Sequence, residues 1–192
     1  MKLIPIVVAM ATICLFNTNP VKAETMATTS SPENTINLDL TYGRVVIELF
    51  PDVAPKHIEQ IKTLTRKGFY DGIVFHRVID GFMAQTGDPT GTGTGGSDLP
   101  NIPAEFNNKN FGRGAVGMAR SASPGSGNSQ FFICFDDCSF LNGQYTVWGQ
   151  VTSGMEFVDQ IKRGEPPVTP DKIVKMTVAA DEGKTEAKTA TK

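Results

Sequence analysis

The stretch VFHRVIDGFMAQTGDPTGTGTGG, Val74 to Gly96, can be read in two ways, and the choice decides the fold. Its second half, GTGTGG from Gly91 to Gly96, spells G-x-G-x-x-G. That fingerprint holds a dinucleotide only where a buried strand runs into it and an apolar helix leaves it, so that the helix N-terminus faces the pyrophosphate. Downstream comes SDLPNIPAEF, with Pro100 and Pro103 where the first helical turns belong. Proline there removes a backbone donor and clashes with the preceding turn. Upstream, QTGDPT is turn chemistry rather than the end of a buried parallel strand. The nicotinamide reading therefore falls, and the stretch reads as strands followed by a glycine-rich loop.

Working outward, the same strand character recurs. INLDL turns Ile36, Leu38 and Leu40 to one side, YG makes a turn and RVVIELF returns, which is a hairpin pattern. IVFHRVI, FMAQ, GAVGMAR, QFFICF, TVWGQV and IVKMTV follow, rich in Val, Ile and Phe and separated by Gly, Pro, Asn or Asp clusters. Two segments have helical period. PDVAPKHIEQIKTLTRKG offers Asp52 as N-cap and Pro55 in the first turn, puts Ile58, Ile61 and Leu64 on one face, and can stop at Gly68. TSGMEFVDQIKRG pairs Ser153 with Glu156 as a capping box, buries Met155, Val158 and Ile161, and ends at Gly164. Many short strands with two isolated helices predict a mainly β domain, a closed barrel capped by helices, because closure removes exposed edges.

The ends differ in composition. Lys2, the apolar run LIPIVVAMATICLF, and the small residues Val21 and Ala23 describe a cleavable signal peptide over residues 1–23. Residues 24–35 are expected to be a flexible lead-in, 36–179 the folded domain, and 180–192 a disordered polar tail. Cleavage leaves about 169 of the 192 residues, enough for one domain with a core. It also removes two lysines, taking the formal charge from −2 to about −4. Nothing is basic enough to suggest nucleic acid as a partner, and no membrane association is expected after cleavage. The expected compartment is the periplasm. Cys134 and Cys138, in CFDDC, can form a disulfide only if the chain between them turns back on itself; two free, partly buried thiols are the favoured alternative.

Covalent chemistry is poorly equipped. The two histidines are His57, read as a surface residue of the first helix, and His76, in a strand between Phe75 and Arg77. There is no HExxH, EF-hand or paired CxxC, so neither a metal nor another cofactor is expected. No G-x-S-x-G elbow is present. An enzyme built from this chain is expected to work without breaking covalent bonds.

The block F-H-R-V-I-x-G-F-M-x-Q-x-G-D, the G-T-G-G turn and S-Q-F-F-I together, in this order and spacing, resemble the cyclophilin family of peptidyl-prolyl isomerases over roughly Ile36 to Val178. The resemblance implies an eight-stranded antiparallel barrel with a helix over each open end. It makes Gly91 to Gly96 a loop bordering a peptide groove, where glycine lets the backbone turn sharply and leaves room beside a ligand. It implies Arg77 as the catalytic residue and Gln85 as the group that orients it and the substrate carbonyl. Phe82, Met83, Phe132 and Leu141 would form the proline pocket, with Gly93, Ala119, Arg120, Ser121 and Gln130 along the groove. Implied partners are proline-containing peptides and unfolded exported proteins, met as a monomer.

These residue types suit the reaction. Rotation about a peptide bond meets a barrier of about 18–20 kcal/mol because resonance stiffens the C–N bond. Twisting destroys that resonance and returns a lone pair to the prolyl nitrogen. A fixed cationic donor there stabilises the twisted state more than either planar one. Arginine is always charged and presents a rigid fork of donors. Taken singly, Phe82, Met83 and Phe132 would be ordinary core residues, and Arg77 half of a salt bridge; only their joint placement carries the reading.

Three positions depart from the family's eukaryotic pattern: Phe140 for Trp, Tyr145 for His, and Arg120 for the frequent Asn. The first two are similar to bacterial members, and both rings can wall an apolar pocket. Phe140 has no indole N–H, so weak cyclosporin binding is expected. Trp148 is read as packing. A non-enzymatic peptide-binding module on the same fold is the main rival, and a surface-acting interaction factor a further one.

Overall fold

Each of the eight strand-like runs forms a strand in the computed structural model, which describes residues 31–183. The leader expected over 1–23 lies outside the described residues. The strands are β1 Thr35–Leu40, β2 Gly43–Leu49, β3 Arg77–Ile79, β4 Met83–Thr86, β5 Ala115–Met118, β6 Phe131–Cys134, β7 Val147–Ser153 and β8 Ile173–Val178. They form one antiparallel sheet in the order β3-β4-β6-β5-β7-β2-β1-β8. The hairpin is in register, Leu40 facing Gly43 and Ile36 facing Ile47.

The sheet curls until its edges meet, but the expected closed ladder is not continuous. The segment just before β3 meets the start of β8 through the isolated bridge Val74–Lys172 and bonds such as Gly72 N–H to the Ile173 carbonyl, while Val78 of β3 bridges Gly164 in the loop ahead of β8. The paired stretch runs only from Gly72 to Phe75 against Asp171 to Ile173, so the seam is short.

Burial explains the sequence pattern. Ile36, Leu38, Val45, Ile47, Phe131, Ile133 and Trp148 point into the curl and are at most 0% exposed, meeting Ile58, Ile61 and Leu64 from the first helix, α1 Pro55–Arg66. β6 is buried on both faces. Phe131 and Ile133 join that inner core, while Phe132 and Cys134 join an outer one with Met83, Phe111, Ala115, Cys138, Leu141 and Val147. Its unbroken apolar run therefore serves two cores. Trp148 packs edge-on against Phe131, as read. Cys134 and Cys138 are free and buried, and burial pushes both thiols up, away from the thiolate.

The helix ends depart from expectation. Asp52 does not cap α1; Ala54 occupies the N-cap and no side chain there bonds the helix. Its first turn is instead closed by Glu105, whose carboxylate accepts the backbone N–H groups of Lys56 at 3.2 Å and His57 at 3.1 Å. His57 is not a surface residue: it is 1% exposed, with Nδ1 2.6 Å from the same carboxylate. Burial pushes its pKa down against the pull of Glu105, so the neutral ring donates its Nδ1–H there. The second helix, α2 Met155–Val158, is one turn long. Its capping box does not form because Ser153 still belongs to β7 and Gly154 starts the helix at φ 82°. Val158 and Ile161 are buried nonetheless.

The domain edges also shift. Pro32–Asn34 and Ala179–Asp181 form 3₁₀ turns that meet at Arg66, which donates to Glu33 and to Asp181. Described chain thus extends a few residues past both expected boundaries, and the rest of the expected lead-in, 24–30, and of the expected tail, 184–192, lies outside the described residues.

Candidate active site

Arg77 begins β3 directly opposite Gln85 of β4, so strand register alone sets these two side chains together. Arg77 Nε donates to Glu165 Oε2 at 2.8 Å. Gln85 Nε2 donates to Gln130 Oε1 at 2.9 Å, and Gln130 Nε2 in turn donates to the carbonyls of Gly95 at 2.8 Å and Gly93 at 3.1 Å. A polar relay therefore runs from beside the guanidinium to the glycine loop.

That loop is organised by a residue the sequence reading passed over. Asp88 is 1% exposed, and its carboxylate accepts the N–H groups of Thr90 (2.7 Å), Thr92 (3.1 Å), Gly93 (2.6 Å) and Gly95 (3.1 Å), together with the Thr90 hydroxyl (2.8 Å). The backbone donors that a G-x-G-x-x-G loop would aim at a phosphate converge on the chain's own anion. Burial pushes the Asp88 pKa up, but the hydrogen bonds outweigh it and bring the group down to about 2. The room at Gly95 is filled by that carboxylate: a Cβ there would lie 2.2 Å from Asp88 Oδ1. An acid followed, after one proline, by a run of Thr and Gly was the available signal, since Asp side chains bond backbone N–H groups a few residues on.

Three adjoining hollows share Gln85. The apolar one, about 230 Å³, is lined by Phe82, Met83, Phe132, Leu141 and Tyr145, with Arg77, Ala119 and Arg120 at its rim. Met83, Phe132 and Leu141 are nearly buried, held by the outer core beneath them. The Phe132 ring packs edge-on to Tyr145 with centroids 5.9 Å apart, and Phe82 lies 5.3 Å from Phe140. Phe140 is 62% exposed and stands at the edge of this hollow rather than lining it. A polar hollow of about 550 Å³ lies alongside, bounded by Gly93–Gly96, Ala119, Arg120, Ser121 and Gln130. The third, about 310 Å³, lies on the Glu165 side of Arg77, against His76 and Gly93.

All thirteen residues named for the site fall on or beside these hollows. Arg120 folds back, donating to the Gln144 carbonyl at 2.8 Å and lying 4.6 Å over the Tyr145 ring. Ser121 is tied by its N–H and hydroxyl to Ser126 Oγ. Asn128, also passed over, accepts from Ser97 and donates to the Leu99 carbonyl, closing the far end of the polar hollow. His76 is buried, and among the described residues neither ring nitrogen has a hydrogen-bond partner. Burial lowers its pKa, opposed by the charge of Asp88. Among the described residues no group of His, Cys, Asp and Glu could hold a metal ion.

A fixed guanidinium at the rim of an apolar, proline-sized hollow, with a backbone-lined trough beside it, suits an extended peptide whose proline is buried. The comparisons agree with that geometry. Residues 35–178 match the family model "Cyclophilin type peptidyl-prolyl cis-trans isomerase/CLD". A probable peptidyl-prolyl cis-trans isomerase of Brucella suis is 55% identical over 171 residues, covering 81% of this chain and 87% of that one. A peptidyl-prolyl cis-trans isomerase of Helicobacter pylori is 44% identical over 126 residues, covering 64% and 77%. Among solved structures, the cyclophilin AquaCyp293 of Hirschia baltica superposes with a TM-score of 0.74 at 31% identity, covering 79% of this chain and 76% of that one. A Cryptosporidium parvum cyclophilin type isomerase, solved in the presence of the dipeptide Ala-Pro, gives 0.70 at 28% identity, covering 75% and 98%. The chain belongs to the cyclophilin-type peptidyl-prolyl cis-trans isomerases. Its reaction is rotation about X–Pro peptide bonds.

Proposed function

We propose that the protein carries out this isomerisation on exported polypeptides in the periplasm, with Arg77 as the catalytic residue. The observation that carries the site assignment is the position of Arg77: it borders both the apolar hollow and the Glu165 hollow, and only its Nε is engaged among the described residues. The terminal amino groups of the fork remain for a substrate. Proline enters the hollow lined by Phe82, Met83, Phe132 and Leu141, whose size and largely apolar side chains suit its ring. The chain on one side of the proline lies in the trough of Gly93, Ala119, Arg120, Ser121 and Gln130. Gln85 steadies the carbonyl, and Arg77 donates to the prolyl nitrogen as the bond twists. The nitrogen gains a lone pair only in that state, so the bond is differential and lowers the barrier. No covalent intermediate and no cofactor is required.

The compartment rests on the leader-like composition of residues 1–23. The client class follows from it, since unaided X–Pro isomerisation takes tens to hundreds of seconds and limits folding. Cyclosporin binds weakly because Phe140 offers a ring but no N–H donor.

The test is exchange NMR on a short X–Pro peptide with the protein and its Arg77→Ala variant. The expected loss in the variant is roughly 10²–10³-fold, the scale of losing a preorganised donor. Near-normal catalysis by the variant would remove Arg77 from the mechanism. Fractionation of the source cells with an antibody tests the compartment; retention of the unprocessed chain in the cytoplasm would overturn it.

A further inference from the structure

Glu165 lies far from Arg77 in sequence, yet the backbone delivers it to the guanidinium. Val78 and Gly164 form an isolated antiparallel bridge with both bonds made, each N–H 2.8 Å from the other's carbonyl oxygen. In antiparallel pairing the residue before Val78 faces the residue after Gly164. Glu165 is thus registered opposite Arg77, just as Gln85 is registered opposite it from β4. The three side chains form a row across three strand segments, with the guanidinium in the middle. Gly164 fixes this geometry: at φ 147° a Cβ there would lie 2.5 Å from Pro167 Cα, so no other residue keeps the bridge where it is. The neighbouring carboxylate, Asp80, serves a different partner, Arg163 Nε, at 3.0 Å.

We propose that Glu165 is a positioning residue for Arg77. Its carboxylate grips Nε, the inner edge of the fork, at 2.8 Å. Held there, the guanidinium keeps its plane and its reach, while the terminal amino groups stay directed to the apolar hollow that both Arg77 and Gln85 border. Arginine has several rotatable bonds and loses much freedom when fixed. A group that pins it before substrate arrives removes that cost from the twisted state, where the donor is needed. Both partners are partly exposed, 43% and 52%, so the contact is screened and its effect is modest.

The inference rests on the role given to Arg77, and the experiment separates the two. Exchange NMR yields kcat and KM for the full chain and for Glu165→Ala, Glu165→Gln, Asp80→Asn and Arg77→Ala. Glu165→Ala is expected to lower kcat about two- to fivefold, the range of an exposed ion pair, with KM nearly unchanged. Glu165→Gln, which keeps an acceptor, recovers part of that loss. Asp80→Asn removes an equal charge nearby without touching Arg77 and leaves kcat at the wild-type value. The Arg77 Nε–H signal, sharp in the wild type, broadens or vanishes in Glu165→Ala. If Arg77→Ala collapses activity while Glu165→Ala matches the wild type, Glu165 positions nothing. If Glu165→Ala is faster than wild type, the carboxylate sequesters the guanidinium and the proposal is reversed. If Arg77→Ala stays active, the failure lies with the catalytic assignment.

Discussion

Two buried or half-buried carboxylates, Asp88 and Glu105, do the same physical work in different places. Each collects backbone N–H groups that would otherwise be orphaned: Asp88 those of the glycine loop, Glu105 those of the first turn of α1. Asp88 acts within its own loop and shapes a wall of the groove. Glu105 reaches across 48 residues of sequence and fastens a helix that packs on the inner core. The difference is one of consequence. Loss of the first should loosen the site and the fold together; loss of the second should loosen the fold alone.

The sharpest way to break this contrast is Asp88→Ala. It takes the shared acceptor from four backbone donors of a largely exposed loop, where water can satisfy some of them, and about 2–3 kcal/mol of stability should go with it. Because Gln130 docks on the carbonyls of Gly93 and Gly95, kcat/KM should fall by at least about tenfold as the Gln85–Gln130 relay loses its anchor. Urea unfolding and peptide exchange on the same preparation check both; full activity in a destabilised variant would detach the loop from the site.

Acid titration probes the same carboxylate without substitution. Asp88 falls from an ordinary 3.8 to about 2 in the folded chain, so its contribution is complete above pH 3.8 and fades as pH drops toward 2. That shift corresponds to about 2 kcal/mol. His57 and His76 are also held below their ordinary 6.5, in both cases chiefly by burial. Their contribution is full above pH 6.5 and declines on acidification, so an earlier, separate drop in stability should precede that of Asp88. In Asp88→Asn the lower step should shrink, Glu33, Glu105 and Asp159 still contributing because their partners also hold them below the ordinary carboxyl value, and the upper one remain. A single step in the wild type, confined to pH below 4, would contradict the neutral state assigned to the histidines.

How much of this could be read beforehand depends on how local each cause is. All eight strands were legible because alternation and β-branched or aromatic runs act within a few residues, as Ile36, Leu38 and Leu40 show. The buried face of α1 was legible for the same reason. Its cap was not, because Glu105 belongs to a distant loop, and the same distant partner buried His57 against expectation. The capping box of α2 failed because β7 claimed Ser153 first. At the site, Phe132 carries no local mark separating it from Phe131; which of the two faces the hollow depends on which core each meets. The role proposed for it comes only from the resemblance. Asp88 could have been found from local turn chemistry, whereas Glu165 could not, since its register with Arg77 exists only once the bridge forms.

Glu105→Ala is expected to be milder than the loss of Asp88. It removes two helix-terminal acceptor bonds and the His57 contact, at about 1–2 kcal/mol. Hydrogen exchange should quicken in the first turn of α1 while kcat and KM hold. A matching fall in kcat would show that α1 and the groove are coupled, and the division between the two carboxylates would fail.

The smallest effect tests whether Glu105 is itself held in place. Its backbone N–H donates to Thr146 Oγ1 at 2.9 Å, and Thr146 is 2% exposed. Thr146→Val keeps the shape and removes the acceptor, leaving a buried N–H unpaired for about 1 kcal/mol. Thr146 is also the neighbour of Tyr145, which lines the apolar hollow, so this substitution stands closer to the site than any change at α1. The Thr146 carbonyl still accepts from Met118 N–H at 3.0 Å, and that backbone bond holds the segment beside Tyr145 whatever the side chain. The scaffold role therefore predicts lower stability with unchanged kcat. It also predicts that Thr146→Val adds little in a Glu105→Ala background, because the carboxylate that Thr146 serves is already gone. Additive losses in the double variant, measured by urea unfolding, would mean that Thr146 acts on its own and that Glu105 needs no such support.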